Sequence, residues 1–264
     1  MPDLLVDVEG GVATVTMNRP EARNALSDEM RSLLCDWMHR LELDDEVKVV
    51  VLEGAGDHFM AGGDVKGMVS AIEREPAEIE QHFNLRIHDL HPIFYAMRRM
   101  AKPIIAKVRG AAAGAGVSFA LGCDLVVASE DAFFVLAYVN IGTTPDGSST
   151  FQLPRNMTIK QAMEMTLLGD RVSARRAYEI GYVNSVVPAD ALDAEVAGLA
   201  HRLASGPTFV LGQAKRLLYA SLGNQWETQL QAEAESFARC AARGDFREGV
   251  TAFVEKRKPR FTGG

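Results

Sequence analysis

With 264 residues, 47% of them hydrophobic, the chain is long enough to bury a large core, which excludes a disordered polymer. A formal net charge of −7 excludes a sequence-independent nucleic-acid groove, which needs clustered lysine and arginine. Cys35, Cys123 and Cys240 lie far apart without metal-ligand spacing, and no apolar run approaches the roughly eighteen residues of a membrane span, so the expectation is a cytoplasmic protein with no metal, disulfide, membrane or nucleic-acid partner.

Residues 4–9 and 12–17 alternate in polarity around Gly10-Gly11, a dipeptide suited to the positive φ angles of a tight reversal, and predict an antiparallel hairpin. Ser27 is placed to cap a helix in which Met30, Leu33, Leu34, Trp37, Met38 and Leu41 recur at helical spacing. The continuous Val49, Val50, Val51 and Leu52 within residues 48–53 predict a strand covered on both faces. A charged helical region over about 68–100, a strand over 103–108, a glycine-rich turn, a helix over 117–121 and a strand over 125–128 repeat that order. Helices are expected from about Ser148, over 159–168, and after Ser173, where Gly181 ends the helix; a strand follows over 183–187. From Asp193 the pattern is helical throughout, interrupted at Gly206-Pro207 and Gly223, with a basic tail.

Two segments carry chemistry. The turn from His58 to Val65, containing Gly62 and Gly63, is answered by residues 110–116, containing Gly114 and Gly116. Small residues let a carbonyl oxygen approach the main chain to about 3 Å, and two converging N–H groups make an oxyanion hole, each donor contributing roughly a hundredfold or more to a reaction that passes through an enolate.

These residues, in this order, resemble the crotonase family, the enoyl-CoA hydratase and isomerase superfamily. The resemblance runs through Asn18-Arg19-Pro20, Asn24-Ala25-Leu26, the Phe59 to Asp64 turn, Lys102-Pro103, the Gly110 to Gly116 run, Cys123-Asp124-Leu125, Ile141-Gly142 and Glu248-Gly249 leading to the basic tail. It implies an α/β fold, a spiral of repeated ββα units over 1–192 with a helical trimerisation region over 193–264, assembled as a homotrimer or a dimer of trimers. It also implies an acyl-CoA substrate, with coenzyme A entering as part of that substrate, and the backbone N–H groups of Gly63 and Ala115 as the oxyanion donors.

By position, Ala22, Arg23, Ala61, Gly62, Asp64 and Lys66 would contact coenzyme A, with Phe253 and Lys256 reaching over from a neighbouring subunit. Glu21 departs from the lysine often found in that loop, a loss for which Arg23 compensates; Asp64 equally suits a helix cap. Met68, Phe83, Ile87, Ile93, Phe94 and Met97 either enclose the acyl group or form plain core.

Family hydratases use two glutamates. Here those positions hold Ser118 and Tyr138, and neither side chain is a base near neutral pH. Asp146 matches the aspartate that several CoA-linked double-bond isomerases of the family use as base, and one carboxylate suffices to take a proton from one carbon and return it to another. Relatives that displace halide from aryl-CoA esters hold a nucleophilic aspartate at the same position. Asp146 is alternatively a helix cap or turn residue, and Tyr138 either orients it or lines the acyl tunnel. Isomerisation is favoured; hydration or another enolate reaction, and acyl-CoA binding without turnover, stay open.

Overall fold

The computed structural model describes residues 1–264. Strands β1 (Leu4–Glu9) and β2 (Val12–Met17) pair antiparallel across Gly10 and Gly11, at φ +57° and +81°. Helix α1 (Asp28–Leu43) follows, its first turn capped by Ser27 Oγ, which accepts from the Met30 N–H, and it buries Met30, Leu34, Met38 and Leu41. Strand β3 (Val49–Gly54) returns parallel to β2 with Val49 through Leu52 buried.

The predicted helical stretch over 68–100 is three helices, α2 (Val69–Ile72), α3 (Pro76–His88) and α4 (His91–Arg99). Both longer ones have a proline in the first turn, where the missing N–H costs nothing, and before Pro76 the chain is extended at Glu75. Strand β4 (Ile104–Val108) rejoins the main sheet, then β5 (Ala111–Ala113) leaves it. Helix α5 (Ala115–Gly122), buried along its whole length, leads to β6 (Leu125–Ser129) beside β4, and β7 (Phe133–Val135) again departs to pair in parallel with β5. Helices α6 (Ser149–Asn156) and α7 (Ile159–Leu168), strand β8 (Val172–Ser173), helix α8 (Ala174–Glu179) and strand β9 (Ser185–Val187) complete the last turn.

The result is a spiral of strand, strand and helix. Successive coils contribute one strand to a six-stranded sheet, ordered β1-β2-β3-β4-β6-β9, and one short rung to a second ladder. In that ladder Leu26 bridges Gly63, Met60 bridges Ala112, β5 pairs with β7 and β7 with β8. Residues 111–113, read from sequence as part of a glycine-rich turn, are thus a strand.

The larger core packs Phe59, Phe119 and Phe134 among the buried residues of α1, α4 and α5 and of both ladders. The other face of the main sheet, Val49, Val51, Ile105 and Val127, is covered by Leu192, Val196, Ala200 and Ala204 of α9 (Leu192–Ala204). The helical segment after 193 therefore begins as a layer of the sheet, and α10 (Thr208–Ser221), α11 (Trp226–Ala241) and α12 (Gly244–Val254) continue outward. The break between α11 and α12 falls at Ala242-Arg243, with no proline or glycine before Gly244 to announce it.

A buried ion pair ties α10 to the sheet. Lys215 Nζ lies 2.7 Å from Asp124 Oδ2 and donates to the carbonyls of Met97 and Lys102, while Tyr219 Oη–H and the Ile104 N–H donate to the same carboxylate. Burial pushes the Asp124 carboxyl up and the Lys215 ammonium down, each offset by the other's charge.

Candidate active site

The two turns meet because glycine lets them. Gly62, at φ +97°, has the carbonyl of Ala113 so near that an added Cβ would sit 3.0 Å from its oxygen and 3.6 Å from Ala115 N. A Cβ on Gly116 would overlap the Met60 carbonyl oxygen. Two further residues hold the approach. Asn24, wholly buried, accepts from the Arg19 N–H and donates to the carbonyls of Ala55 and His58, and His58 Nδ1 accepts from the Ala111 N–H at 3.2 Å. His58 is thereby a strut between the turns.

The direction of the amides follows from the ladder. Leu26 N–H donates to Gly62 O at 2.8 Å and Asp64 N–H donates to Leu26 O at 3.3 Å, so the N–H of Gly63 between them points to the opposite side. Ala115 opens α5, where an N–H has no intrahelical acceptor. Neither amide has a protein acceptor, and both residues line one cavity of about 790 Å³.

Across that cavity stands Asp146. Its main-chain carbonyl is anchored by Ser118 Oγ–H (3.0 Å), Ser149 Oγ–H (2.8 Å) and the Ser149 N–H (3.2 Å), whereas its carboxylate accepts from the Tyr138 hydroxyl at 2.6 Å. The side chain caps no helix: α6 has Ser148 at its N-cap, with no side-chain bond. Burial pushes the Asp146 carboxyl above its ordinary value, against the pull of the Tyr138 bond and the Arg86 charge. Burial, then the neighbouring carboxylate, raises the Tyr138 phenol. Tyr138 and Asp146 are eight residues apart in sequence, and the left-handed Gly142 (φ +73°) lies in the turn between them that brings the two to hydrogen-bond range.

The remaining expected residues divide. Ala61 and Gly62 line the cavity; Ala22, Arg23, Asp64 and Lys66 do not. Asp64 spends Oδ1 on the Gly67 N–H at 3.1 Å and Oδ2 on Arg19 Nη1 at 3.2 Å, and the Gly67 bond chiefly holds its carboxyl below the ordinary value. Phe253, 85% exposed, borders a separate groove between α10, α11 and α12, and Lys256 follows α12 at φ +57°; neither reaches the cavity within one chain. Ser118 is buried against Gly147 and lies outside the cavity wall. Of the apolar residues read as acyl-enclosing, Met68, Phe83 and Ile87 line the cavity, while Ile93 and Met97 belong to the core. Sequence reasoning missed Arg31 and Arg86, which also line it; Arg86 follows Phe83 by one helical step and so shares its face.

The family model for enoyl-CoA hydratase/isomerase matches residues 7–264. The chain belongs to the enoyl-CoA hydratase/isomerase family. It is 39% identical to 1,2-epoxyphenylacetyl-CoA isomerase of Escherichia coli (strain K12), over 100% of this chain and 99% of that one. It is 33% identical to 4-chlorobenzoyl coenzyme A dehalogenase-1 of Arthrobacter sp, over 95% of this chain and 90% of the relative. The crystal structure of an enoyl-CoA hydratase from Polaromonas sp. JS666 superposes with a TM-score of 0.91 at 33% identity, covering 98% of this chain and 99% of that one. As an enoyl-CoA hydratase/isomerase family member with the crotonase fold, this chain is an enzyme of acyl-CoA thioesters, in which coenzyme A arrives as part of the substrate.

Proposed function

We propose that the protein shifts a double bond within an unsaturated acyl-CoA, the N–H groups of Gly63 and Ala115 holding the thioester oxygen and Asp146 carrying the proton. The observation that supports this most is that Asp146 is the one carboxylate lining the cavity that both amides face. Ionised Asp146 takes a proton from an acidic carbon of the acyl chain, and the electron pair left behind delocalises onto the thioester oxygen. The two amides stabilise that charge, and the same carboxyl returns the proton to a different carbon. Tyr138, donating to Oδ1, fixes the carboxylate and leaves Oδ2 for the substrate.

Hydration has weaker support. It asks for a held water and a second acid–base group, and Ser118 directs its hydroxyl at the Asp146 carbonyl instead. Coenzyme A is assigned to the rim formed by Ala22, Arg23, Ala61, Gly62 and Lys66. Asp64 supports that rim by fixing the turn after it and Arg19, and Phe253 and Lys256 come from a neighbouring subunit of a homotrimer or dimer of trimers built through 193–264. The apolar groove with Phe237, Phe246 and Phe253 favours that use of the helices. The place of action is the cytoplasm.

The test is to incubate the protein with 2-enoyl, 3-enoyl and dienoyl thioesters in deuterated water, beside Asp146→Asn. Double-bond migration with deuterium uptake, lost in the variant, is the expected result. A hydroxyacyl product retained in the variant supports hydration, and tight binding without turnover by the native chain refutes catalysis of either kind.

A further inference from the structure

A cavity for a plain hydrocarbon chain has no use for cations, yet Arg31 and Arg86 line this one, each with its side chain only 15% exposed. Their anionic partners sit on the outer side. Arg86 Nη1 pairs with Asp28 Oδ1, and Arg31 lies 3.1 Å from the same carboxylate and 3.8 Å from Asp89, two carboxylates whose side chains are 71% and 64% exposed. A guanidinium has five N–H donors in a planar fork, and Asp28 engages only Nη1 of Arg86, so Nε and Nη2 have no protein acceptor.

Arg86 lines the same cavity as Asp146, Gly63 and Ala115, and its place on the wall between Phe83 and Ile87 sets it on the acyl side; its charge is felt at Asp146 and also at Asp64. The neighbours of Arg86 on the wall, Phe83 and Ile87, are apolar, and Thr143 and Thr144 of the loop before α6 line the same cavity. Filling this space with hydrocarbon would strip water from the free donors of Arg86 and give them nothing in return, a desolvation that a second carboxylate, met by the guanidinium fork, relieves.

Resting on the proposed acyl-CoA reaction, we infer that the acyl group carries a carboxylate at its far end, received by Arg86 with Arg31 beside it. The substrate class is then an unsaturated dicarboxylic acid joined to coenzyme A through one of its two carboxyls. The terminal carboxyl is ionised at neutral pH and needs no proton from the protein.

Binding is measured by calorimetry with saturated, unreactive thioesters, hexanedioyl- to decanedioyl-CoA beside hexanoyl- to decanoyl-CoA. This readout is independent of turnover, so it decides the inference even if no isomerisation is found. At the best-fitting length the native chain is expected to bind the diacid thioester about tenfold or more tightly than the monoacid, and Arg86→Gln to reduce that ratio to about threefold or less. Asp28→Asn, which removes the outer partner and keeps the cation, is expected to preserve or enlarge the ratio, and covers the case in which the Arg86 variant folds poorly. The same series on pantetheine, without nucleotide, should show the same dependence on Arg86. A ratio near one at every length in the native chain overturns the inference. So does a ratio unchanged in Arg86→Gln, or a dependence on Arg86 that vanishes with the nucleotide and so belongs to the phosphates.

Discussion

Replacing Tyr138 by phenylalanine removes one hydroxyl and keeps the ring that packs beside Gly114, so its effect falls on the Asp146 carboxylate. The bond is 2.6 Å long, from a largely buried donor to a half-buried acceptor, and favours the charged carboxylate over the neutral acid. A hydrogen bond to a charged group contributes about 1.5–3 kcal/mol. With about 1.4 kcal/mol per unit, its loss should raise the Asp146 pKa by roughly one to two units beyond the elevation that burial already causes. A base must be ionised to act, so activity climbs with pH through this value. The acid limb of kcat/KM for double-bond migration should therefore move to higher pH by the same roughly one to two units. The assay is the pH profile of native and Tyr138→Phe enzyme with one saturating and one limiting thioester concentration at each pH. An acid limb that stays in place, or moves to lower pH, would refute the assignment of Tyr138 as the donor that keeps Asp146 ionised.

Three further outcomes are expected. Because the folded Asp146 carboxyl is raised above its unfolded value, the stability linked to it is complete below the unfolded pKa and is lost as pH rises through the folded one; Asp146→Asn should thus gain in Tm relative to native as pH rises from the ordinary carboxylate range through the raised value, and a relative fall on that rise contradicts the desolvation argument. Gly116→Ala drives a methyl group into the Met60 carbonyl and to 3.1 Å from Met60 Cβ, parting the turns, and should lower kcat about a hundredfold with native-like circular dichroism; undiminished turnover would show that the two amides do not act together. Lys215→Met leaves the Asp124 carboxyl buried without its cation and should cost about 3–5 kcal/mol in urea unfolding, so an unchanged midpoint would show that the pair does not hold α10 in place.

Long elements with a clear period were legible in the sequence. The hairpin of β1 and β2, the Ser27-capped α1 and the whole of α7 fall where alternation, helical spacing and caps place them. The second ladder was not, because its rungs are too short to show a period and Ala111–Ala113 has no strand composition; only the meeting of distant coils makes it a sheet. The same contrast runs through the site. Gly62, Gly63 and Asp146 stand out as residue types in a known order, and the bond from Tyr138 to Asp146 is one of the two readings the sequence left open for Tyr138, whereas the role of Asn24 as a buried clip depends on tertiary approach. Arg31 and Arg86 read as ordinary charges on amphipathic helices, and which way an arginine near an apolar stripe leans is decided by the helices packed against it.

In the proposed reading the clasp around the thioester oxygen is made of main-chain N–H groups, those of Gly63 and Ala115, so no side chain supplies its donors, and it is parted only by a side chain added where the turns touch, as at Gly116. The proposed proton carrier, Asp146, is the opposite case, one side chain on a loop between Gly142 and Gly147 that bears no rung of either ladder. On that reading a lineage built on this coil would inherit electrophile activation with its backbone and could rewrite the chemistry that follows by altering a handful of loop codons. The scaffold is conservative and its repertoire open for one and the same mechanical reason.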